Sequence, residues 1–298
     1  MLSILIPTHN DACLALVQGL QAQCEALAHE GLRYEIVVAD DGSTDMSVKA
    51  ENKKVEKLEN CRYVEKGDNV GRARIRNFLV AQSHGSWLLF IDSDLGLCSD
   101  GYVDHYFRLM QSAEHPVVYG GTRIGGNPEA LRGNLRYLYE KRAEPHHQAA
   151  QRNLRPQQEL SVCNCLVSRS VAEAHPFDAR FRLYGYEDVL FGKRLTESGI
   201  DIFHTDNPVL FSRFESNADF LRKTEEAVRT LCQFRSDLQG FSNLESGAQR
   251  AARFCPPAFF RLMHRFLKPL LRRNLQGSHP CLSLLKLYKL GLYFTLRG

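Results

Sequence analysis

The chain lacks any C-x-x-C pair: its nine cysteines, at 13, 24, 61, 98, 163, 165, 232, 255 and 281, are scattered and odd in number. Neither a disulfide framework nor a cysteine zinc site organises such a chain, and a reducing cytosol suits it. No apolar run approaches the ~20 residues that cross a bilayer. The N-terminus, MLSILIPTHND, has no basic region ahead of its apolar run and no small-residue cleavage site, so it predicts a first strand rather than a signal peptide. Acid is scarce at one end. Residues 240–298 hold ten Lys and Arg against the single Glu245, a net +9; the whole chain is only +4, which leaves −5 for the residues before them. With 298 residues, 44% hydrophobic and 24% charged, the rest is ordinary globular material, enough for one large core and an appendage.

What is present is an alternation of strand-length apolar runs with segments of helical period. SILI (3–6) precedes an amphipathic stretch from about 11 to 29, with Leu14, Val17, Leu20, Cys24 and Leu27 at helical spacing and Gly31 at its end. YEIVVAD (34–40) leads through DGSTD to a charged helix ending near Leu58; Asp45 is its N-cap and Gly42 supplies a positive φ in the turn. CRYVE (61–65), a helix over 69–85 stopped by Gly85, and WLLFI (87–91) complete the series. Continuous Val/Ile/Leu strands alternating with helices predict an α/β fold, a mostly parallel sheet covered on both faces. Ligands of such sheets bind beyond the carboxyl ends of the strands. There the chain writes PTHND, DDGSTD and DSD, so that Asp92 and Asp94 face Asp40 and Asp41 across a crevice. Two carboxylates one residue apart suit a shared hard cation; a turn with an Asp cap is the plainer alternative.

The set SILIPTHN, VVADDGSTD, NVGRARIRN, FIDSDL and YGYEDVLFGKRL resembles the family-two nucleotide-sugar glycosyltransferases of the GT-A fold, of the inverting kind, over residues 1 to about 230. The resemblance implies a GT-A Rossmann-like catalytic domain at 1–235, a nucleotide-sugar donor, and Mg²⁺ or Mn²⁺ held at a DxD motif. Asp94 would be the direct metal ligand, with Asp92 on metal or donor. Pro7, Thr8 and Asn10 would lie along the nucleotide, and Asp41 would accept the imide N–H of a uracil-type base, as an acceptor-only carboxylate can. Arg76 shares a helix face with Arg72 and would approach the diphosphate; Arg72 and Arg74 are as readily a solvated face. In YGYED, Asp188 would be the base that deprotonates the acceptor hydroxyl, with Glu187 and Tyr186 beside the acceptor. An acid in a helix's first turn also suits the helix dipole. On the strand SVCNCLVS, Asn164 is placed to touch donor or acceptor, while Cys163 and Cys165 suit core packing.

Where near relatives often carry a metal-binding histidine after N-P-V, this chain has Phe211. His204 is the only nearby imidazole, as suited to a backbone carbonyl as to a metal. The segment 122–160 is polar and rich in Gly, Arg and Gln, expected as a variable acceptor-side loop or lid in which His146 and His147 are solvated. Residues 240–298 interleave cations with Phe, Leu and Tyr at helical spacing. They are expected to form a basic amphipathic helical region on an anionic membrane, peripheral at the inner face of the cytoplasmic membrane, whose removal leaves the catalytic domain folded. A helical lid packed on that domain is the alternative. The expected product is a glycan or lipid-linked glycan of polysaccharide biosynthesis, and nucleic acid is not an expected partner. Two other readings stay open: a sugar-phosphate nucleotidyltransferase, which would want a Gly- and Lys-rich loop where this chain has PTHND, and a catalytically degenerate, membrane-associated binding protein.

Overall fold

The computed structural model describes residues 1–297. Ten strands run as β1 (Leu2–Thr8), β2 (Tyr34–Asp41), β3 (Cys61–Lys66), β4 (Trp87–Ile91), β5 (Gly96–Leu97), β6 (Val117–Tyr119), β7 (Thr122–Ile124), β8 (Asn164–Ser168), β9 (Ile202–His204) and β10 (Val209–Phe211). They belong to a compact unit built from residues 1–125, 146–182 and 187–212. Its main sheet has the order β3-β2-β1-β4-β8-β6-β9. Every pairing is parallel except those of β8, which is antiparallel to both β4 and β6. A second sheet, β5-β10-β7, is small.

The strand sequences explain the sheet. β2 is buried at all eight positions: its apolar centre, Ile36 to Ala39, is covered on both faces, and Glu35, Asp40 and Asp41 are buried with it. On one face Ile4, Ile36, Leu89 and Ile91 meet Val17, Leu20 and Cys24 of the helix Leu14–Ala26, whose buried residues recur every three or four positions. Each such side chain, fully buried, contributes roughly 1.5–3 kcal/mol. The helix Arg72–Gln82 lies against β1 and β2 and buries Ile75 and Leu79. It stops at Gln82 with Ser83 extended, so Gly85 does not end it. Gly85 is required by β1 instead: its N–H donates to Ser3 Oγ at 2.7 Å, and a Cβ there would lie 2.6 Å from that oxygen.

The expected loop at 122–160 is largely ordered. It contains β7 and the short helices Pro128–Leu131, Leu135–Ala143, Ala149–Arg152 and Pro156–Glu159; Asn127 and Asn134 cap the first two through their side-chain oxygens. Polar composition there marks caps and turns, which sequence periodicity does not separate from disorder.

The second unit comprises residues 126–145, 183–186 and 213–298. Its larger helices are Asn217–Gln233, Asn243–Ala252, Pro257–Gln276 and Leu282–Leu296. The first packs on the last two, so the break expected between 235 and 240 falls inside one packed body. Leu282–Leu296, expected on a membrane surface, is mostly a core helix: Leu285, Tyr288, Leu292, Tyr293 and Phe294 are buried. Its tyrosines carry polar ends inward, where the Tyr288 hydroxyl donates to Glu225 at 2.6 Å. Among the described residues no helix is long and apolar enough to cross a membrane.

Candidate functional site

The chain adds β2 and β3 on one side of β1 and then returns to place β4 on the other, so the order reverses between β1 and β4. A crevice opens beyond the carboxyl ends at such a point. PTHND and DSD are the segments that leave β1 and β4 there. Pro7 and Thr8 close β1 in register with Ala39 and Asp40. Thr8 is buried, and its hydroxyl donates to the Asp11 carbonyl at 2.8 Å. Asn10 adopts a left-handed φ of 58°. Its side-chain oxygen accepts the N–H groups of Thr44 and Asp45 at 2.8 and 2.9 Å, and its own N–H donates to Ser43 Oγ at 2.8 Å. Asn10 thereby ties the β1 loop to the β2 loop.

The two aspartates ending β2 are engaged from within. Asp41 accepts the N–H groups of Val70 and Gly71 at 2.8 and 3.0 Å, fixing the loop that starts the Arg72–Gln82 helix. Asp40 accepts the Ser43 N–H at 2.6 Å and the Tyr63 hydroxyl. Asp45 caps its helix through Ser47 and Val48 N–H, as its position implies.

Arg76 joins the two acidic motifs. The residue is only 3% exposed; its Nη1 donates to Glu187 Oε1 at 3.1 Å and Nη2 to Asp92 Oδ1 at 2.9 Å. A buried cation between two carboxylates is a structural bridge, and removing it would strand both. The cation left facing outward is Arg72, 45% exposed at its side chain, 3.6 Å from Asp92 Oδ2 and 3.9 Å from Glu187 Oε1. Arg74 donates to the Ala179 carbonyl at 3.0 Å. The expected pairing of Arg76 with a diphosphate is therefore revised: Arg72 has the better access, because the helix turns Arg76 inward, where Ala73 and Ile75 are also buried.

This bridge separates the acids electrically. Burial pushes the Asp92 carboxyl up, but Arg76 and Arg72 outweigh it and hold the group below the usual carboxylate range. At Asp94 the pull of Arg72 is too weak: burial, then the charges of Asp92 and Asp11, push it up to about 6. Asp188, in the first turn of the helix Glu187–Glu197, is also pushed up to about 6, by burial and by Glu187, against the opposing pull of Arg76. The half-buried Cys163 thiol is pushed up to about 12 by burial and by the charges of Asp92, Asp188 and Asp94. Glu187 Oε2 and Arg76 Nε are buried without a hydrogen-bond partner among the described residues.

Other expected site residues are placed elsewhere. Asn164 is fully buried, and its amide is saturated: Oδ1 accepts the hydroxyls of Tyr102 and Tyr106 at 2.6 and 2.8 Å, and Nδ2 donates to the Gly121 and Asn207 carbonyls at 2.8 and 2.9 Å. It organises the core and has nothing left for a substrate. His204 takes the backbone-carbonyl alternative. Nδ1 accepts from Arg152 Nε at 3.1 Å, Nε2 donates to the Pro156 carbonyl at 3.0 Å, and burial holds the ring neutral, down to about 4. Phe211 ends β10, whose Leu210 pairs with Gly96 just past Asp94, so an apolar ring stands on the strand beside the acidic loop. Tyr186 has a left-handed φ of 70° and belongs to the second unit. His146 is exposed. The residues that sequence reading misses are Asp11 and, as the accessible cation, Arg72. Asp11 is visible there only as the last letter of PTHND.

These residues fit a hard divalent cation. Asp94 resists ionisation through burial and then through the negative charge of Asp92 and Asp11, a penalty that a bound cation would offset. Asp94 and Asp92 would hold the ion, with Asp11 nearby. Among the described residues no three His, Cys, Asp or Glu are grouped as a closed metal cage, so phosphate and water oxygens would complete the shell, as Mg²⁺ accepts.

Residues 3–175 match the family model Glycosyl transferase family 2. An uncharacterized glycosyltransferase of Haemophilus influenzae is 30% identical over 122 residues, 41% of this chain and 46% of that protein. A poly(ribitol-phosphate) beta-glucosyltransferase of Bacillus spizizenii is 31% identical over 138 residues, 44% of this chain and 21% of that protein. The chain thus spans less than half the length of these curated relatives. S. aureus TarS 1-349 in complex with UDP-GlcNAc aligns in structure over 99% of this chain and 90% of its own, with 17% identity and a TM-score of 0.54. The mannosyltransferase PcManGT from Pyrobaculum calidifontis, in complex with GDP-Man and Mn²⁺, aligns over 99% and 85%, with 13% identity and a TM-score of 0.53. At these identities the likeness is one of fold.

Proposed function

The chain belongs to glycosyl transferase family 2, and from that membership we propose that it is an inverting glycosyltransferase. It moves a sugar from a nucleoside-diphosphate sugar, UDP-linked in the first instance, to a hydroxyl of a glycan or lipid-linked acceptor in polysaccharide biosynthesis. The observation that carries the reading is Asp188: a carboxyl next to Glu187, which Arg76 bridges to Asp92 at 3.1 and 2.9 Å, is raised to about 6 and so is ionised at neutral pH yet basic enough to take a proton. TarS and PcManGT, solved with UDP-GlcNAc and GDP-Man, support the donor class.

In the reaction Asp188 takes the proton of the acceptor hydroxyl as that oxygen attacks the anomeric carbon. The bond from that carbon to the donor phosphate breaks on the opposite face, and its electron pair leaves with the diphosphate. Mg²⁺ or Mn²⁺ at Asp94 and Asp92 would supply the positive charge that the departing diphosphate needs. Arg72 adds a second cation, and Arg76 keeps Asp92 ionised and joined to Glu187. The basic second unit brings the enzyme to an anionic membrane face, where a lipid-linked acceptor would be met.

Substituting Asp94 tests the donor side. Asp94→Asn should keep its circular dichroism spectrum and lose the Mn²⁺-dependent affinity for UDP-sugars measured by calorimetry. Unchanged affinity in Mn²⁺ would overturn the assignment.

A further inference from the structure

The helix Pro257–Gln276 carries two features that its own packing leaves unused. Phe259, Leu262, Phe266 and Leu270 are 50, 56, 67 and 63% exposed, and their intervals of three and four align them on one stripe. Beside it the helix forms, with Leu282–Leu296, a cleft of about 490 Å³ whose lining includes Arg261, His264, Arg265, Lys268 and Thr295. Arg261, Arg265 and Lys268 make no ion pair among the described residues, whereas Arg272, on the same helix, is bound by Glu225. No Asp or Glu follows Glu245 in the chain.

His264 is the odd member of this lining. It is 3% exposed, and neither ring nitrogen has a hydrogen-bond partner among the described residues. The facing helix makes room for it: a Cβ on Gly291 would lie 2.7 Å from His264 Cβ and Nδ1. A buried polar group left unpaired costs roughly 1–3 kcal/mol, so an imidazole with two such atoms beside three uncompensated cations marks a place for an anionic oxygen ligand.

We propose that this cleft binds the phosphate of an anionic lipid headgroup. Arg261, Arg265 and Lys268 meet the phosphate oxygens, the His264 N–H completes the set, the Thr295 hydroxyl stays on the Gly291 carbonyl at 2.8 Å, and the stripe from Phe259 to Leu270 enters the boundary between headgroups and acyl chains. A membrane offers phosphate and hydrocarbon at one surface; a soluble phosphate satisfies the cleft and leaves the stripe in water. The inference rests on the membrane part of the proposed function and adds to it a site that recognises phosphate, beyond bulk surface charge.

Full-length protein is co-sedimented with phosphatidylcholine vesicles carrying either phosphatidylglycerol or, at matched surface charge, oleate. The expected result is several-fold tighter binding to phosphatidylglycerol. The exposed pair Arg265→Gln and Lys268→Gln should abolish that preference, weaken phosphatidylglycerol binding about tenfold or more, and leave transfer to a soluble acceptor unchanged. Leu262→Ser with Phe266→Ser should weaken binding to both vesicles. Equal affinity of the wild type for both would overturn the headgroup site and keep the membrane reading, while binding to neither would overturn both. Complete displacement by glycerol phosphate at comparable concentration would make the site one for soluble phosphate and overturn the lipid assignment, as would capture of an acidic protein in place of vesicles.

Discussion

At Asp188 one carboxyl must be ionised and must also be reluctant to stay so. Burial and Glu187 raise it to about 6, so in the folded protein it holds a proton over a pH range in which an unfolded aspartate has lost it. Where the folded state binds the extra proton, stability falls as pH rises, here from about 4 to about 6, and is level above. Asp188→Asn removes this burden and should raise the stability of the apo protein at pH 7.5, relative to its effect at pH 4, by on the order of 1 kcal/mol. The same substitution should leave donor affinity near normal and lower transfer by about 10² or more, and wild-type kcat/KM should fall on the acid side of about pH 6. Urea denaturation at the two pH values and a pH–rate profile check both halves; wild-type transfer by the variant would send the search for the base elsewhere. Asp94 is conspicuous in the sequence as an acid just past the end of the apolar run WLLFI, whereas Asp188 stands in YGYED at the start of a helix, and only the family resemblance singles it out. The engagements of Arg76 and Asn164 cannot be read there because their partners come from other strands and helices, Glu187 for Arg76 and Tyr102 and Tyr106 for Asn164, while His204 takes the backbone-carbonyl alternative at Pro156 and adds Arg152. No local pattern carries such pairings.

Among the elements, strands are easier to read than helix ends. The runs at β1, β2 and β4 can be seen because a strand covered on both faces has an apolar centre, and β3, at the sheet edge, because its buried positions alternate, whereas a helix ends where local capping prevails over propensity. Gly85 shows the difference. Read as a stop, it would tolerate alanine at little cost. Read as the point where the chain presses on β1, it would not, since a Cβ would lie 2.6 Å from Ser3 Oγ and 2.7 Å from Ser3 N, and that N cannot move without shifting the strand. Gly85→Ala should therefore destabilise by roughly 1–3 kcal/mol. Gly199 makes the control: it has a φ of 70° and nothing within 4 Å of the point its methyl would occupy, so alanine there meets only backbone strain, about 1 kcal/mol. Equal urea midpoints for the two variants would return Gly85 to the role of a helix stop.

On the scale of the whole chain, the excess of cations after residue 240 is a sequence fact that does not mark a detachable tail. The helix Asn217–Gln233 buries Phe220, Leu221, Val228 and Leu231, and it packs against both Pro257–Gln276 and Leu282–Leu296. Glu225 on that helix accepts from the Tyr288 hydroxyl and is paired with Arg272. A chain ending at 239 would keep the helix and lose what covers it. Four large apolar side chains at roughly 1.5–3 kcal/mol each amount to much of the ~5–15 kcal/mol that keeps a domain folded. Deletion of 240–298 should accordingly yield protein that aggregates or melts well below the full chain, against the expectation of an intact catalytic domain without vesicle binding. Size-exclusion chromatography with a thermal melt decides it: a monomeric 1–239 fragment with the full-length Tm would show that residues 240–298 contribute nothing to the stability of the rest. If the fragment aggregates, loss of vesicle binding on truncation carries no information about lipid, and only substitutions on the exposed face of Pro257–Gln276 in the full chain can separate membrane recognition from folding.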